Sequence, residues 1–403
     1  MKLAYFVHNL NDPAVARRIR MLALGGCTDV VLFGFRRGER PVTSVAGIEA
    51  IDLGRTIDGG FRHRIGSILS AALRMGRYRD RLAGVDVLMG RNLEGLLLAA
   101  VARRQLAAPA RLAYECLDVH RLLLGGRLAG VLRSAERRLL AGVDVLVISS
   151  PEYETAYFAR HYGALPQVVL IENKVLDTDL PPAVLTARRP MPAMGPPWRI
   201  GWYGSLRCRE SLHLLSRLSE RLGGLVEVVI RGMPSALELP DFDEVVKASA
   251  HMRFGGPYDR SRDLPDLYGD VHFAWSIDRF EQGGNGEWAL ANRLYEGGVF
   301  GAVMIAERDV AMGRWLAARG TGVLCEEPVE DWLADFFTTL DAPAYERLAA
   351  SSRSVPPTNH VADAAECRAV VEALAGGARR ARGAASSAAT MRPGSSVLDV
   401  MLL

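Results

Sequence analysis

The sequence is poor in cysteine: Cys27, Cys116, Cys208, Cys325 and Cys367 are the only five in 403 residues, and no two form a C-x-x-C pair. Odd in number and far apart, they fit neither a disulfide framework nor a zinc site and read as structural thiols. Long hydrophobic runs are missing as well. Arg, Asp or Glu interrupts every stretch before it reaches the roughly 18 to 20 apolar residues that a membrane-spanning helix needs. Met1-Lys2-Leu3-Ala4-Tyr5-Phe6-Val7 leads into no small-residue cleavage site, which argues against a secretory signal and for a cytosolic protein. G-x-G-x-x-G never follows a strand directly; Gly125-Gly126-Arg127-Leu128-Ala129-Gly130 has the spacing without the strand, and nothing matches G-x-x-x-x-G-K-[ST]. A dinucleotide dehydrogenase or a P-loop NTPase is therefore not expected. Lysine is scarce too, three of 49 basic residues, but in a chain rich in Ala and Gly this reflects base composition and carries little weight.

What is present is an ordinary globular composition, 49% apolar and 24% charged, in a chain long enough for two domains of about 150 to 200 residues. The net charge of +3 is uneven: residues 1–190 carry +9 and residues 191–403 carry −6. A basic first half suggests an anionic partner, whether a membrane surface, a phosphate or a nucleic acid.

Apolar runs at 2–7, 29–35, 85–89, 111–115, 143–148 and 167–171 alternate with helical stretches through Leu24 and at 93–104 and 127–141. Asp12-Pro13 supplies an N-cap and a proline at the first helical position. The segment 178–198 holds six prolines and reads as a linker. A second series follows, with strands at 199–203, 225–230, about 251–254, 271–275, 302–306 and 322–325 and helices at 209–222, 289–298 and 309–318. The expected organisation is an α/β chain with a first domain at 1–177, a linker at 178–198, a second domain at 199–341, C-terminal helices at 342–375 and a tail at 376–403. Strand-helix alternation at this spacing gives two doubly wound parallel sheets, which bind ligands at the carboxyl edges of their strands.

The run Asn292-Arg293-Leu294-Tyr295-Glu296-Gly297-Gly298-Val299-Phe300-Gly301-Ala302-Val303-Met304-Ile305-Ala306 resembles the donor-nucleotide motif of GT-B glycosyltransferases, especially family-four-like enzymes. Gly201-Trp202-Tyr203-Gly204-Ser205-Leu206 resembles the opening strand and glycine loop of their donor domain. Ile171-Glu172-Asn173-Lys174-Val175 and Val147-Ile148-Ser149-Ser150 match in order, and residues 4–22 are similar to the first acceptor-domain unit of bacterial exopolysaccharide enzymes. The resemblance covers most of the chain. It implies a GT-B architecture of two Rossmann-like domains facing a cleft, and a hexosyltransferase that moves a sugar from a nucleotide-sugar, a UDP-sugar in preference, without cofactor or required metal.

On that resemblance Glu296 accepts hydrogen bonds from the ribose diol, and Arg207, Arg209 and Arg293 meet the diphosphate, with backbone N–H groups of Gly204 and Ser205. Asn292 precedes Arg293 in the same motif. The loop Glu281-Gln282-Gly283-Gly284-Asn285-Gly286-Glu287-Trp288 offers Asn285 and Glu287 to sugar hydroxyls. In retaining relatives a glutamate stands eight positions before the ribose glutamate. Here that position is Trp288, which admits an inverting mechanism with a general base from the first domain. Asp118 is the preferred base and His120 a diphosphate or acceptor contact; His8, Asn9 and Asp12 in the first loop compete, Asp12 also reading as an N-cap and His8 as a loop histidine. Asp177-Thr178-Asp179 has the D-x-D spacing of a metal site but stands at the linker, not after a core strand.

Residues 61–82 combine Arg62, Arg64, Arg74, Arg77, Arg79 and Arg81 with Ile65, Ile68, Leu69, Leu73 and Leu82, and Arg127, Arg133, Arg137 and Arg138 add a second basic helix. Such a pattern lies on anionic membranes or is simply a solvated face. With the resemblance it implies a polyprenyl-diphosphate-linked oligosaccharide acceptor met peripherally at the inner membrane, and no nucleic acid. A catalytically silent GT-B-like scaffold, favoured by Trp288, and a sugar-nucleotide epimerase remain as alternatives.

Overall fold

Buried apolar runs become the strands of two parallel sheets. The computed structural model describes residues 1–56, 61–106, 109–180 and 192–377, without the side chains of 61–63. One unit comprises Met1–Ile171 with the segment from Ala364, the other Glu172–Asp363. The first contains β1 (Lys2–Val7), β2 (Asp29–Arg36), β3 (Ser44–Val45), β4 (Ile48–Arg55), β5 (Val87–Arg91), β6 (Arg111–Cys116), β7 (Val145–Ile148) and β8 (Gln167–Leu170). Their order is β3-β4-β2-β1-β5-β6-β7-β8, parallel except for the β3-β4 hairpin. Winding starts at β1 and runs outward both ways, so the order reverses between β1 and β5.

Asp12 caps the helix Pro13–Leu24 as its sequence signature predicts, accepting from the Ala14 N–H at 2.9 Å. Gly25 ends that helix and has a second task. A Cβ there would run into the Cys367 carbonyl and the Val371 side chain, so the glycine lets the helix Ala364–Ala375 lie against the first unit.

The second unit holds β9 (Val175–Leu176), β10 (Trp198–Leu206), β11 (Val226–Pro234), β12 (Met252–Phe254), β13 (Phe273–Trp275), β14 (Val303–Glu307), β15 (Val323–Cys325) and β16 (Val361–Ala362). Its main sheet has the all-parallel order β12-β11-β10-β13-β14-β15, reversing between β10 and β13, while β16 pairs β9. A core of Trp198, Ile200, Trp202, Phe273 and Trp275 lies on one face, and Tyr203, Tyr268, Leu294 and Tyr295 cluster on the other.

Several expectations need correction. β10 runs on to Leu206 and pairs Gly204 with Gly232 and Ser205 with Met233, so these residues belong to the strand ladder and not to a loop. Gly232 has φ +137°, and a side chain there would strike the Gly204 carbonyl. The donor-motif helix is Asn292–Val299 and not 289–298, which places Glu296 in its second turn. The first unit ends at Ile171, not 177, and the stretch 342–375 is divided. The helix Ala342–Ser354 stays with the second unit; Pro356 and Pro357, lacking N–H donors, stop helical continuation, and Ala364–Ala375 joins the first. The larger parts of the linker and tail, 181–191 and 378–403, lie outside the described residues.

Candidate functional site

In the first unit the carboxyl ends of β1, β5 and β6 carry a charged network. Glu115, the penultimate residue of β6, is fully buried and accepts from Arg18 Nε at 2.7 Å, Arg91 Nε at 2.8 Å and the Tyr5 hydroxyl. Burial alone would raise its carboxyl; the Arg91 and Arg18 guanidiniums outweigh burial and hold it at about 2. Arg91, 1% exposed, also reaches Asp12 Oδ2 at 3.4 Å and the Ala14 carbonyl at 3.2 Å. Asp12 thus supports both a helix and an arginine.

After β5 the chain turns sharply into the helix Asn92–Arg103, with Asn92 at φ +59°. Gly90 and Gly95 make this elbow possible: a Cβ on Gly90 would meet the Leu96 amide, and one on Gly95 would lie 2.5 Å from the Phe6 carbonyl of β1. The elbow brings the Asn92 side chain beside His8, the residue after β1, with the amide 3.5 Å from His8 Nδ1. Burial pushes the His8 imidazolium down to about 4, so the ring is neutral at physiological pH. Asn9 builds the loop, its Oδ1 accepting from the Asn11 N–H at 3.1 Å. Asp118 and His120 are exposed in the loop after β6, and His120 Nδ1 caps the short helix Arg121–Leu124 by accepting from Leu122 N–H at 3.2 Å.

In the second unit the ends of β10 and β13 are stitched together. Ser211, in the first turn of the helix Arg209–Arg221, accepts from Trp275 Nε1 at 3.0 Å and donates to the Ile277 carbonyl at 3.0 Å. Cys208 Sγ accepts from Ser211 N–H and Arg279 N–H. Arg293 lies beneath this edge, donating to the Trp275 carbonyl at 3.3 Å and pairing with Asp278 at 3.5 Å. Glu296 is 3% exposed and paired with Arg260, which opens the helix Arg260–Gly269 after β12. Burial, then the Glu296 charge, pushes the nearby Tyr258 phenol up to about 12.

The other expected donor residues are partly engaged. Arg207 lies over the Phe280 ring at 4.8 Å, and Arg209 pairs with Asp241 at 2.8 Å. Buried Asn285 donates to Glu281, Glu287 accepts from Gly283 N–H at 2.7 Å, and Asn292 is exposed at the helix start. A shallow, open depression of about 510 Å³ is lined by Arg231, Pro257, Tyr258, Asp259, Arg262 and Asp263. A larger one of about 560 Å³ lies over Tyr203, Arg231, Arg253 and Asp270. Sequence reading missed Tyr258 and Arg260, although Asp259-Arg260-Ser261 is a capping signature that Asp259 fulfils, accepting from the Ser261 N–H at 2.8 Å. It also missed Arg18, Arg91 and Asn92, of which only Gly90-x-Asn92-x-x-Gly95 left a local trace. Among the described residues no group of three or more His, Cys, Asp or Glu is gathered as metal ligands would be.

No protein-family model matches the chain. It is 40% identical over 383 residues, 93% of each chain, to the succinoglycan biosynthesis protein ExoL of Rhizobium meliloti. Its fold matches HepE of Anabaena, solved with UDP and glucose, at a TM-score of 0.67 and 12% identity, covering 93% of this chain and 99% of that one. It also matches WaaG, a glycosyltransferase involved in lipopolysaccharide biosynthesis, at 0.60 and 12% identity, covering 93% and 100%. The chain belongs to the family of the succinoglycan biosynthesis protein ExoL and has the GT-B glycosyltransferase fold.

Proposed function

We propose that this protein is a glycosyltransferase that moves a sugar from a UDP-sugar to a lipid-linked oligosaccharide diphosphate during exopolysaccharide assembly. The observation that carries the reading is Glu296, a carboxylate 3% exposed and paired with Arg260, in the same short helix Asn292–Val299 as Arg293. A carboxylate accepts both hydroxyls of a ribose diol, and fixed cations stabilise the charge that grows on a departing diphosphate. Arg293 is the cation best held for that task; Arg207 is exposed for the same ligand, whereas Arg209 would first have to leave Asp241. Asn285 and Glu287 would exchange their loop hydrogen bonds for sugar hydroxyls. HepE, solved with UDP and glucose, supports the choice of uridine.

All six tryptophans lie in the second unit, so their fluorescence during unfolding reports on it. A ligand at 100 times its Kd stabilises the state it binds by about 2.7 kcal/mol. UDP is expected to raise that transition, and GDP at the same concentration is not; the reverse order, or no response to either, contradicts the reading.

No helix among the described residues is long and apolar enough to cross a membrane. The first unit instead exposes Leu73 at 71% beside exposed Arg74, Arg77 and Arg79, and Val131 at 52% near Arg127. Arg64 and Arg81 are paired with Glu94 and Glu49, and the Arg62 side chain lies outside the described residues. This surface suits peripheral contact with anionic lipid. Sedimentation with phosphatidylglycerol vesicles at low salt is expected to carry the protein down and zwitterionic vesicles are not; equal binding to both removes the membrane reading.

A further inference from the structure

Glu115 and Glu296 are both buried carboxylates paired with arginine, but their arginines differ. Glu115 is held by Arg18 and Arg91, whose side chains are 5% and 1% exposed and have no way out to water. The Glu296 side chain is 4% exposed, yet its partner Arg260 is 35% exposed. A carboxylate as deep as Glu296 needs a cation, because an unpaired charge at that depth is costly. The cation that serves it stands at the rim. Arg260 is the first residue of the helix Arg260–Gly269, and its sequence neighbours Tyr258, Asp259 and Arg262 line the open depression of the second unit. Swung out of the pair, the guanidinium of Arg260 enters water and is hydrated there. Glu115 is therefore built to keep its partners and Glu296 to change one.

A second group at the same place is incompletely used. Tyr268 is 2% exposed, and its buried hydroxyl has no hydrogen-bond partner among the described residues. Its ring lies against the donor-motif helix at Gly297, the residue after Glu296: a Cβ on Gly297 would stand 3.0 Å from Tyr268 Cε1. Burial, then the Glu296 charge, raises the Tyr268 phenol, so its O–H stays a donor throughout the neutral range. Buried donors are nearly always paired, and this one is placed beside a carboxylate whose arginine can leave.

We propose that Arg260 is a latch on Glu296: in the free protein it neutralises the carboxylate, and it yields that carboxylate to the ribose hydroxyls of an incoming nucleotide. The Tyr268 O–H then takes a carboxylate oxygen that Arg260 has left and fixes the turned-out Glu296. The inference rests on the reading of Glu296 as the ribose acceptor and goes beyond it by assigning two positioning residues that act through Glu296. A carboxylate offers about four lone-pair sites, enough for two ribose hydroxyls and one phenol. The latch has a thermodynamic consequence. Part of the free energy of nucleotide binding goes into opening the Arg260–Glu296 pair, so the pair lowers affinity, and a nucleotide without the full diol gains little by opening it.

Calorimetric titration at pH 8 with UDP, GDP and their 2′-deoxy forms tests this, because the latch answers to the ribose and not to the base. Arg260→Ala should bind the preferred ribonucleotide about 3- to 10-fold more tightly than wild type, the gain expected when a half-exposed pair no longer has to open, with the 2′-deoxy form little changed. Arg260→Lys keeps a cation on Glu296 and should stay near wild type. Without nucleotide, Arg260→Ala should unfold before wild type by tryptophan fluorescence, and saturating nucleotide should close the gap. An arginine that only supports the fold would leave that gap open. Tyr268→Phe deletes a hydroxyl that has no partner in the free protein, so it should not lower the unfolding transition, yet it should weaken the ribonucleotide about 10-fold. If wild type prefers the ribonucleotide to its 2′-deoxy form and Arg260→Ala binds it no more tightly, the latch is overturned while Glu296 keeps its ribose. Unchanged affinity in Tyr268→Phe overturns the part given to the phenol. Equal binding of ribo and 2′-deoxy forms by wild type, or binding of neither nucleotide, takes the ribose away from Glu296 and overturns both readings.

Discussion

Glu115→Gln is expected to destabilise the first unit by about 3 to 5 kcal/mol, because it leaves two buried guanidiniums, Arg18 and Arg91, without their carboxylate. Arg18 is 5% exposed and Arg91 1%, so water cannot replace the lost partner. The effect depends on pH with a definite sign. The Glu115 carboxyl sits at about 2 in the folded protein against an ordinary value of 4.5, so its stabilisation is complete above 4.5 and lost as pH falls toward 2. The gap between wild type and Glu115→Gln should therefore be full at pH 7 and shrink below pH 4.5. His8 adds to the same acid sensitivity. Its ordinary value of 6.5 falls to about 4 on folding, so stability declines as pH drops from 6.5 toward 4, and His8→Gln should flatten that part of the curve. Far-UV circular dichroism follows both units and tryptophan fluorescence only the second, so a dichroism transition that moves ahead of the fluorescence places the loss in the first. A Glu115→Gln protein as stable as wild type at pH 7 would mean that the buried network contributes nothing.

Glu296→Ala should weaken UDP binding by about 10- to 100-fold, since hydrogen bonds to a charged group contribute about 1.5 to 3 kcal/mol and 1.4 kcal/mol is a factor of ten. Glu296→Gln keeps one acceptor oxygen and should fall between. Removal of the carboxylate also frees Arg260, which at 35% side-chain exposure can be hydrated, so the fold should survive where the Glu115 change is costly. Calorimetric titration with UDP reads the effect, and an unchanged Kd in Glu296→Ala would remove the residue from the site.

The two sheets were legible because parallel strands buried on both faces are written as continuous apolar runs. Val145–Ile148 is buried throughout and unmistakable. β4 was not, since Ile48-Glu49-Ala50-Ile51-Asp52-Leu53 alternates with charge and lies toward the sheet edge, half covered. Local pattern also could not assign the helix Ala364–Ala375 to the first unit, because an apolar stripe says that a face is covered and not by what. Glu296 could be offered as a donor contact from sequence because the motif that carries it is contiguous. The Glu115 network could not: Arg18 is 97 positions from its partner and Arg91 is 24, and only folding makes them neighbours. His8 and Asn92 are 84 positions apart, joined by an elbow whose glycines act through space.

Sugar transfer itself is the most direct test. Purified protein is incubated with UDP-sugars and GDP-sugars, each with and without lipid extract from a succinoglycan-producing strain, and released nucleotide is measured together with sugar appearing in the lipid fraction. At least one UDP-sugar should release UDP in step with sugar transfer to lipid, only when protein and lipid extract are both present, and no GDP-sugar should do so. Release from GDP-sugars in preference, or none from any donor in the complete mixture, contradicts the account.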